Sequence, residues 1–182
     1  MTKLYHILVA LLLFVSCKTP EARKPISVKT GSFIDASVER NKKLYAIEQS
    51  HIEELMSKKK DNNYIASKSG FWYYYNTKTE ADSLITPGFG DIVNYNYNVK
   101  ALDGSVIYSN QELRTQNYAM DKEELFTGLR EGLKLMKPGE TVTFLFPSQK
   151  AYGYYGDENK IGSNTPLICQ VTVNSIIKNQ TK

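Results

Sequence analysis

The amino-acid sequence predicts an α+β protein in which a curved antiparallel β-sheet wraps around one short α-helix, with an N-terminal helix before the sheet. Three observations predict this class: apolar residues at helical spacing after residue 32, strict alternation from 93 to 99, and a second helical stretch enclosed by strand candidates. Strands that follow one another, interrupted by a single helix, favour an antiparallel sheet over a parallel one. The 182 residues suffice for one domain with extensions.

The first 16 residues have the pattern of a lipoprotein signal peptide. Ile7 to Val15 is an apolar run of nine residues, which is too short for a bilayer-spanning helix of about 20 residues and fits the apolar core of a secretory signal. The run ends in Ser16-Cys17, a small residue before a cysteine, which resembles a bacterial lipobox. A cleaved signal with an incidental cysteine, or a short core segment, is the alternative.

A lipidated Cys17 would hold the protein at a membrane surface, because two or more acyl chains anchor stably whereas one binds marginally. Residues 17–31 contain two prolines and few apolar residues, as expected of a tether. Cys169 would then be the remaining cysteine, without a partner for a disulfide, and its apolar surroundings predict a small buried hydrophobe. We expect the protein in the cell envelope, facing the periplasm, with the outer membrane favoured over the inner one.

Residues 32–62 are predicted to form the N-terminal helix, with Ser32 as its cap and Asp35 in its first turn. Its apolar residues fall near one face, which Asn41 and Glu48 interrupt. These apolar residues are Ile34, Val38, Tyr45, Ile52 and Leu55. The helix could pack on its own domain, dimerise or dock a partner, and a stop is expected around residues 58–63.

Residues 63–86 hold an aromatic strand candidate, Phe71 to Tyr75. Such a run could be a ligand platform, but we favour a strand that packs on both sides. The clearest alternation follows, with one set of side chains on each face: Val93, Tyr95, Tyr97 and Val99 against Asn94, Asn96 and Asn98. Asp103-Gly104 then predicts a tight hairpin, after which the chain returns as a strand.

The second helix is predicted over residues 127–136, closed by Pro138-Gly139. Its apolar positions recur at helical spacing: Leu125, Leu129, Leu133 and Met136. Two further strands are predicted, Thr141 to Phe146 and Leu167 to Ile177. The residues expected to face the core from these strands are Val142, Phe144, Phe146, Leu167, Cys169, Val171 and Val173.

Charge and histidine placement exclude several functions. The formal net charge of +4 is spread along the chain and forms no basic stripe, so nucleic-acid binding is not expected. His6 lies in the signal segment and His51 stands alone, and no Cys/His cluster has the spacing of metal ligands. We therefore predict neither a metal site nor a cofactor.

Three sequence blocks then follow one another in a suggestive order: residues 90–97 (GDIVNYNY) with the Asp103-Gly104 hairpin, 126–140 (FTGLREGLKLMKPGE) and 146–153 (FPSQKAYG). In order and spacing they resemble the FKBP-type peptidyl-prolyl isomerases, so that residues 87–178 would be the domain and 179–182 a tail. With its signal and N-terminal helix, the whole chain is similar to FKBP-type lipoproteins associated with gliding motility.

The resemblance implies a pocket that isomerises prolyl bonds in exported polypeptides. Its positions would be Tyr97, Ile107, Tyr108, Leu125, Phe126, Leu129, Tyr152 and Cys169. Catalysis would rest on Tyr97, Phe126 and Tyr152, with the Tyr152 hydroxyl and the Phe126 backbone amide donating to substrate carbonyls; the other five would bind substrate. The alternative is that these eight are ordinary core residues of a small domain.

Four pocket positions depart from the family pattern. Phenylalanine, aspartate, tryptophan and phenylalanine are usual where this chain has Ile107, Tyr108, Leu129 and Cys169. The resemblance therefore implies a less aromatic pocket, weaker binding of macrolides and an isomerase activity that could be low. A catalytically weak chaperone or scaffold with the same fold is the competing hypothesis.

Overall fold

The structure, a computed structural model, describes residues 30–80 and 85–179, with side chains from residue 34 onward. The chain divides into two units, residues 1–38 and 39–182. The predicted signal peptide, Cys17 and almost all of the predicted tether lie outside the described residues. Of the helices that are described, none combines the length and apolarity needed to cross a membrane.

The N-terminal helix, α1, extends over Thr30–Lys58. It begins before Ser32, so the prediction that Ser32 is the cap is wrong, and Asp35 lies beyond the first turn. Its end agrees with the prediction, and the Lys58 ammonium pairs with the Glu54 carboxylate at 2.7 Å, one turn earlier. Such a pair complements the dipole at the helix C-terminus.

The predicted apolar face of α1 is only partly correct. Ile34 and Val38 are 63% and 43% exposed, whereas Ile52 is fully buried, and Tyr45 and Leu55 are half-buried. Glu48, which the sequence pattern treated as an interruption of the face, is itself buried. The buried face of α1 is therefore polar at one position and lies further along the helix than predicted.

The described strands form one antiparallel sheet. They are β1 (Ile65–Ala66), β2 (Trp72–Thr77), β3 (Ile92–Lys100), β4 (Val106–Tyr108), β5 (Gln116–Ala119), β6 (Thr141–Phe146) and β7 (Leu167–Ile177). Their order is β1-β2-β6-β7-β3-β4, and β5 pairs with the first half of β3 on the edge that β4 occupies further along. Two short helices, α2 (Asn110–Leu113) and α3 (Thr127–Leu133), and a 3-10 turn at Ser148–Lys150 complete the elements.

The alternation predicted for β3 is confirmed. Its four apolar side chains are all buried in the core, while Asn94 and Asn96 face outward and both accept from the Asn174 amide, at 2.8 and 2.7 Å. The β3–β4 hairpin also forms where predicted, with Gly104 at a φ of 90°, a conformation that glycine adopts without steric cost.

Two glycines let α3 lie directly against the inner face of the sheet. A Cβ at Gly128 would stand 2.5 Å from a ring carbon of Phe146, and one at Gly132 would stand 2.9 Å from the Phe144 ring. Because residues four apart share a helix face, both glycines form one narrow contact stripe. The helix ends at Leu133, three residues earlier than predicted, and the sheet curves around it as expected.

The aromatic segment is a strand, as favoured, and part of its packing is internal. Phe71, just before β2, is buried with its ring centroid 5.2 Å from that of Phe146. Tyr73 and Tyr75 pack against the core cluster, whereas Tyr74 meets the Tyr64 ring edge-on, outside the core cluster, at 5.1 Å. These contacts favour a structural role over a ligand platform.

Candidate functional site

The residues that the resemblance assigns to the pocket come together in space. Five segments supply them: the middle of β3, the strand β4, the start of α3, the loop after β6 and the strand β7. All eight belong to the core cluster or pack against it. Leu129 and Cys169 are fully buried, while Ile107, Tyr108, Leu125, Phe126 and Tyr152 are half-buried.

Phe126 and Tyr152 face each other across the site. Their ring centroids are 5.1 Å apart, and the Phe126 ring also meets the edge of the Phe146 ring at 5.5 Å. Phe126 is the N-cap residue of α3 with extended backbone angles, so its amide N–H has no partner within the helix. A hydroxyl and a backbone N–H, both donors, thus lie beside an aromatic wall.

The loop that carries Tyr152 is fixed by its own backbone. The Ser148 carbonyl accepts from the amides of Ala151 and Gly153, both at 2.9 Å, and the Gly153 carbonyl accepts from Asn164 at 2.8 Å. Tyr152 therefore sits between two amides that share one acceptor. This arrangement holds the ring near Phe126 at little further entropic cost.

Burial keeps the phenol and thiol groups of the site protonated. Burial, reinforced by the nearby Cys169, Asp157 and Tyr108 side chains, raises the pKa of Tyr152 to about 12. Burial likewise raises the pKa of Tyr97, an effect to which the neighbouring Tyr152 adds, and burial raises that of the Cys169 thiol. The phenol thus remains a hydrogen-bond donor at neutral pH, and the thiol remains an unreactive small hydrophobe, as predicted from its apolar surroundings.

One carboxylate beside Tyr108, at the rim of the site, was not predicted from the sequence. The Tyr108 hydroxyl donates to the carboxylate of Asp157, which also accepts from the amides of Ile161 at 2.7 Å and Asn159 at 3.0 Å. Burial alone would raise the pKa of Asp157, but these three hydrogen bonds together lower it. The family usually has an aspartate where this chain has Tyr108. Here the carboxylate of Asp157, from another loop, accepts a hydrogen bond from the Tyr108 hydroxyl.

Lys160 ties the same rim to α2. Its ammonium lies 4.8 Å from the centre of the Tyr108 ring and pairs with the Glu112 carboxylate, and its backbone amide donates to the Tyr108 oxygen at 3.3 Å. In the sequence, the one indication of this network was Tyr108, because the hydroxyl of a half-buried tyrosine needs a hydrogen-bond partner.

The site's chemistry is that of binding and orientation. Across residues 30–80 and 85–179, no group of three or more His, Cys, Asp or Glu side chains is placed to hold a metal ion. What the site offers is buried apolar side chains, aromatic rings and two hydrogen-bond donors. Fold and site together define an α+β domain in which a tyrosine hydroxyl and a backbone amide lie beside a cluster of aromatic rings.

The family follows from comparison with known proteins. Residues 85–174 match the family model of the FKBP-type peptidyl-prolyl cis-trans isomerases. Over this stretch the chain belongs to that family.

Curated relatives match just under half of the chain. The probable FKBP-type peptidyl-prolyl cis-trans isomerase FkpA of Neisseria meningitidis is 32% identical over 85 residues, which are 47% of this chain and 31% of that protein. The human peptidyl-prolyl cis-trans isomerase FKBP9 is 27% identical over 89 residues, 48% of this chain and 16% of that protein. The match thus spans less than a third of either relative's length.

Solved structures extend the likeness of fold beyond the matched half. A peptidyl-prolyl cis-trans isomerase from Pseudomonas syringae superposes with a TM-score of 0.61 at 19% identity, covering 75% of this chain and 96% of that one. FkpA from Escherichia coli gives 0.59 at 24% identity, covering 82% of this chain and 70% of that one. The predicted fold class, an N-terminal helix followed by a curved antiparallel sheet on a short helix, is confirmed.

Proposed function

We propose that this protein is a peptidyl-prolyl cis-trans isomerase that acts on proline-containing exported polypeptides. The observation that carries the proposal is the Phe126–Tyr152 pair, 5.1 Å between ring centroids, in one site with the buried Leu129 and Cys169. Family membership over residues 85–174 supports the same reaction.

The reaction requires no nucleophile. Rotation about a prolyl bond is slow because the amide has partial double-bond character, with a barrier of about 18–20 kcal/mol. In the twisted transition state the amide loses resonance and charge separation, so an apolar pocket favours it over the planar forms. The Tyr152 hydroxyl and the Phe126 amide would donate to substrate carbonyls, and Tyr97 would complete the catalytic wall.

We place this activity in the cell envelope, in keeping with the lipobox-like sequence at Cys17. Lipid on Cys17 would anchor the protein, with the domain facing the periplasm and the outer membrane favoured. The resemblance that the sequence pattern suggests to FKBP-type lipoproteins associated with gliding motility would make components of a gliding machinery candidate clients.

A proline-limited refolding assay tests the proposal, with the chain from residue 18 onward as catalyst. The wild type should accelerate refolding, and Tyr152→Phe, which removes only the donor, should reduce the acceleration about three- to tenfold. Tyr154→Phe is the matched control, because that side chain is 72% exposed two residues away. Equal rates for wild type and uncatalysed refolding would refute catalysis.

A chaperone or scaffold with little catalysis is the second candidate. The altered residues Ile107, Tyr108, Leu129 and Cys169 favour it, as do the exposed rings of Tyr154 and Tyr155 beside the site, which offer apolar contact to unfolded chains. Binding to an unfolded protein without acceleration of prolyl isomerisation would support this second function.

A further inference from the structure

Glu48 of α1 is a buried carboxyl group that accepts two hydrogen bonds from one residue, Ser148. It is 4% exposed, and its two side-chain oxygens accept from the backbone amide of Ser148 at 2.8 Å and from the Ser148 hydroxyl at 2.7 Å. A carboxyl group is costly to bury unless it is hydrogen-bonded. Both oxygens thus connect α1 to one residue, 100 positions along the chain.

Ser148 in turn holds the loop of Tyr152. Its carbonyl oxygen accepts from the amides of Ala151 and Gly153, which flank Tyr152 on either side, at 2.9 Å each. The contacts therefore run from Glu48 to Ser148 and from Ser148 to both neighbours of the tyrosine. Tyr152 is the residue whose ring faces Phe126.

The space beside this contact would let the loop move if Glu48 were lost. A cavity of about 180 Å³ lies between α1 and the loop, lined by residues of both, including Tyr45, Glu48, Gln149 and Tyr154. Packing on this side is therefore open, and the two hydrogen bonds of Glu48 connect α1 to the start of the loop beside the cavity. Dense packing, which would fix the loop without them, is absent at this cavity.

We infer that Glu48 is a positioning residue for the isomerase site, through which α1 sets the place of the Tyr152 hydroxyl. This inference rests on the proposed function. It makes α1 part of the site's support, beyond any role as a spacer or docking helix. It also accounts for a carboxyl group on the buried side of a helix where an apolar residue is the usual choice.

The test compares Glu48→Gln, Tyr152→Phe and the double variant in the refolding assay, with the chain from residue 18 onward. Glu48→Gln keeps the side chain's size but sets an NH2 donor against the donors of Ser148, and should lower kcat/KM about tenfold, mainly through kcat. Because Glu48 acts through Tyr152, Glu48→Gln should cause little further loss in the Tyr152→Phe background. Glu53→Gln, exposed on the same helix, should leave the rate unchanged.

Amide hydrogen exchange provides the second readout. Exchange at Ala151 and Gly153 should accelerate in Glu48→Gln and not in Glu53→Gln. If Glu48→Gln fails to fold, Ser148→Ala takes its place, since it removes one of the two hydrogen bonds and keeps the backbone contacts.

The outcomes separate the two proposals. A folded Glu48→Gln variant with wild-type activity and wild-type exchange would overturn the inference, and so would an equal fold loss in both Tyr152 backgrounds. A wild type without isomerase activity would overturn the proposed function instead, while the exchange rates would still decide whether Glu48 orders the loop.

Discussion

The hydroxyl of Tyr152 illustrates how burial prepares a side chain for binding. Its raised pKa and its place between two fixed amides leave it protonated and oriented before any substrate arrives. Asp157, by contrast, has a lowered pKa and accepts from Tyr108. The site therefore separates a donor in its interior from an acceptor at its rim.

The pH dependence of the proposed activity follows from this separation. Because the pKa of Tyr152 is about 12, the donor is fully present at neutral pH and is lost only as the pH rises towards 12. We expect kcat/KM to be flat from about pH 6 to 10. A steady-state pH profile with a fixed proline-containing peptide measures this, and a loss of activity centred near pH 8 would contradict the assigned role of Tyr152.

Asp91 should contribute to stability in a pH-dependent way. Burial alone would raise its pKa, but hydrogen bonds from the Lys178 ammonium and from the amides of Gly88 and Asn179 lower it to about 2. A folded-state pKa below the ordinary value of 3.8 stabilises the fold at pH values above 3.8, and this contribution disappears as the pH falls towards 2.

We therefore expect Asp91→Asn to lower the free energy of unfolding at pH 7 by about 1 to 2 kcal/mol, discounted because Lys178 is partly exposed. The difference from wild type should shrink between about pH 4 and pH 2. Urea unfolding at several pH values measures both effects. Asp61→Asn, at an exposed position after α1, is the control and should show neither.

At the scale of elements, the contact between α3 and the sheet leaves no space for a Cβ atom at two helix positions. A Cβ at Gly128 would lie 2.6 Å from the Lys150 backbone oxygen as well as against the Phe146 ring. Ring atoms can shift slightly, but a backbone oxygen in the Tyr152 loop cannot move without disturbing that loop. The same helix face thus determines both packing and the geometry of the site.

Gly128→Ala should therefore destabilise the fold by about 1 to 3 kcal/mol through overpacking. Gly162→Ala is the matched control, since its Cβ would meet only the Thr165 hydroxyl at 3.7 Å, an ordinary contact. Thermal or urea unfolding compares the two variants. Equal stabilities would show that α3 has room to withdraw from the sheet.

Sequence patterns predicted the elements whose signals are local. The alternation in β3 reflects one buried face, and Asp103-Gly104 specifies its hairpin through the conformation of a single glycine. The contacts of Glu48 with Ser148 and of Asp157 with Tyr108 could not be assigned in this way, because they join residues 100 and 49 positions apart and leave no periodic signal. The resemblance to a family brought the eight pocket residues together, and it named neither of these two.

At the scale of the whole molecule, the proposed anchor gives a direct test. Cys17→Ser should move the full-length protein from the membrane to the soluble fraction, because lipidation requires the thiol at that position. Cys169→Ala, which removes the buried thiol of the domain, should leave the protein membrane-bound. Cell fractionation with immunoblotting measures both, and a membrane-bound Cys17→Ser variant would contradict lipid anchoring.

The described part of the sheet is bounded by its shortest strands. The strand β1 has two residues and lies at one edge, while β4 and β5, with three and four residues, share the other. An open edge is where a foreign polypeptide can add itself as an extra strand, and such growth leads to aggregates. A protein with the proposed function would meet this hazard whenever it bound an unfolded chain. Edges this short offer few backbone groups for pairing, which would favour the release of such a chain.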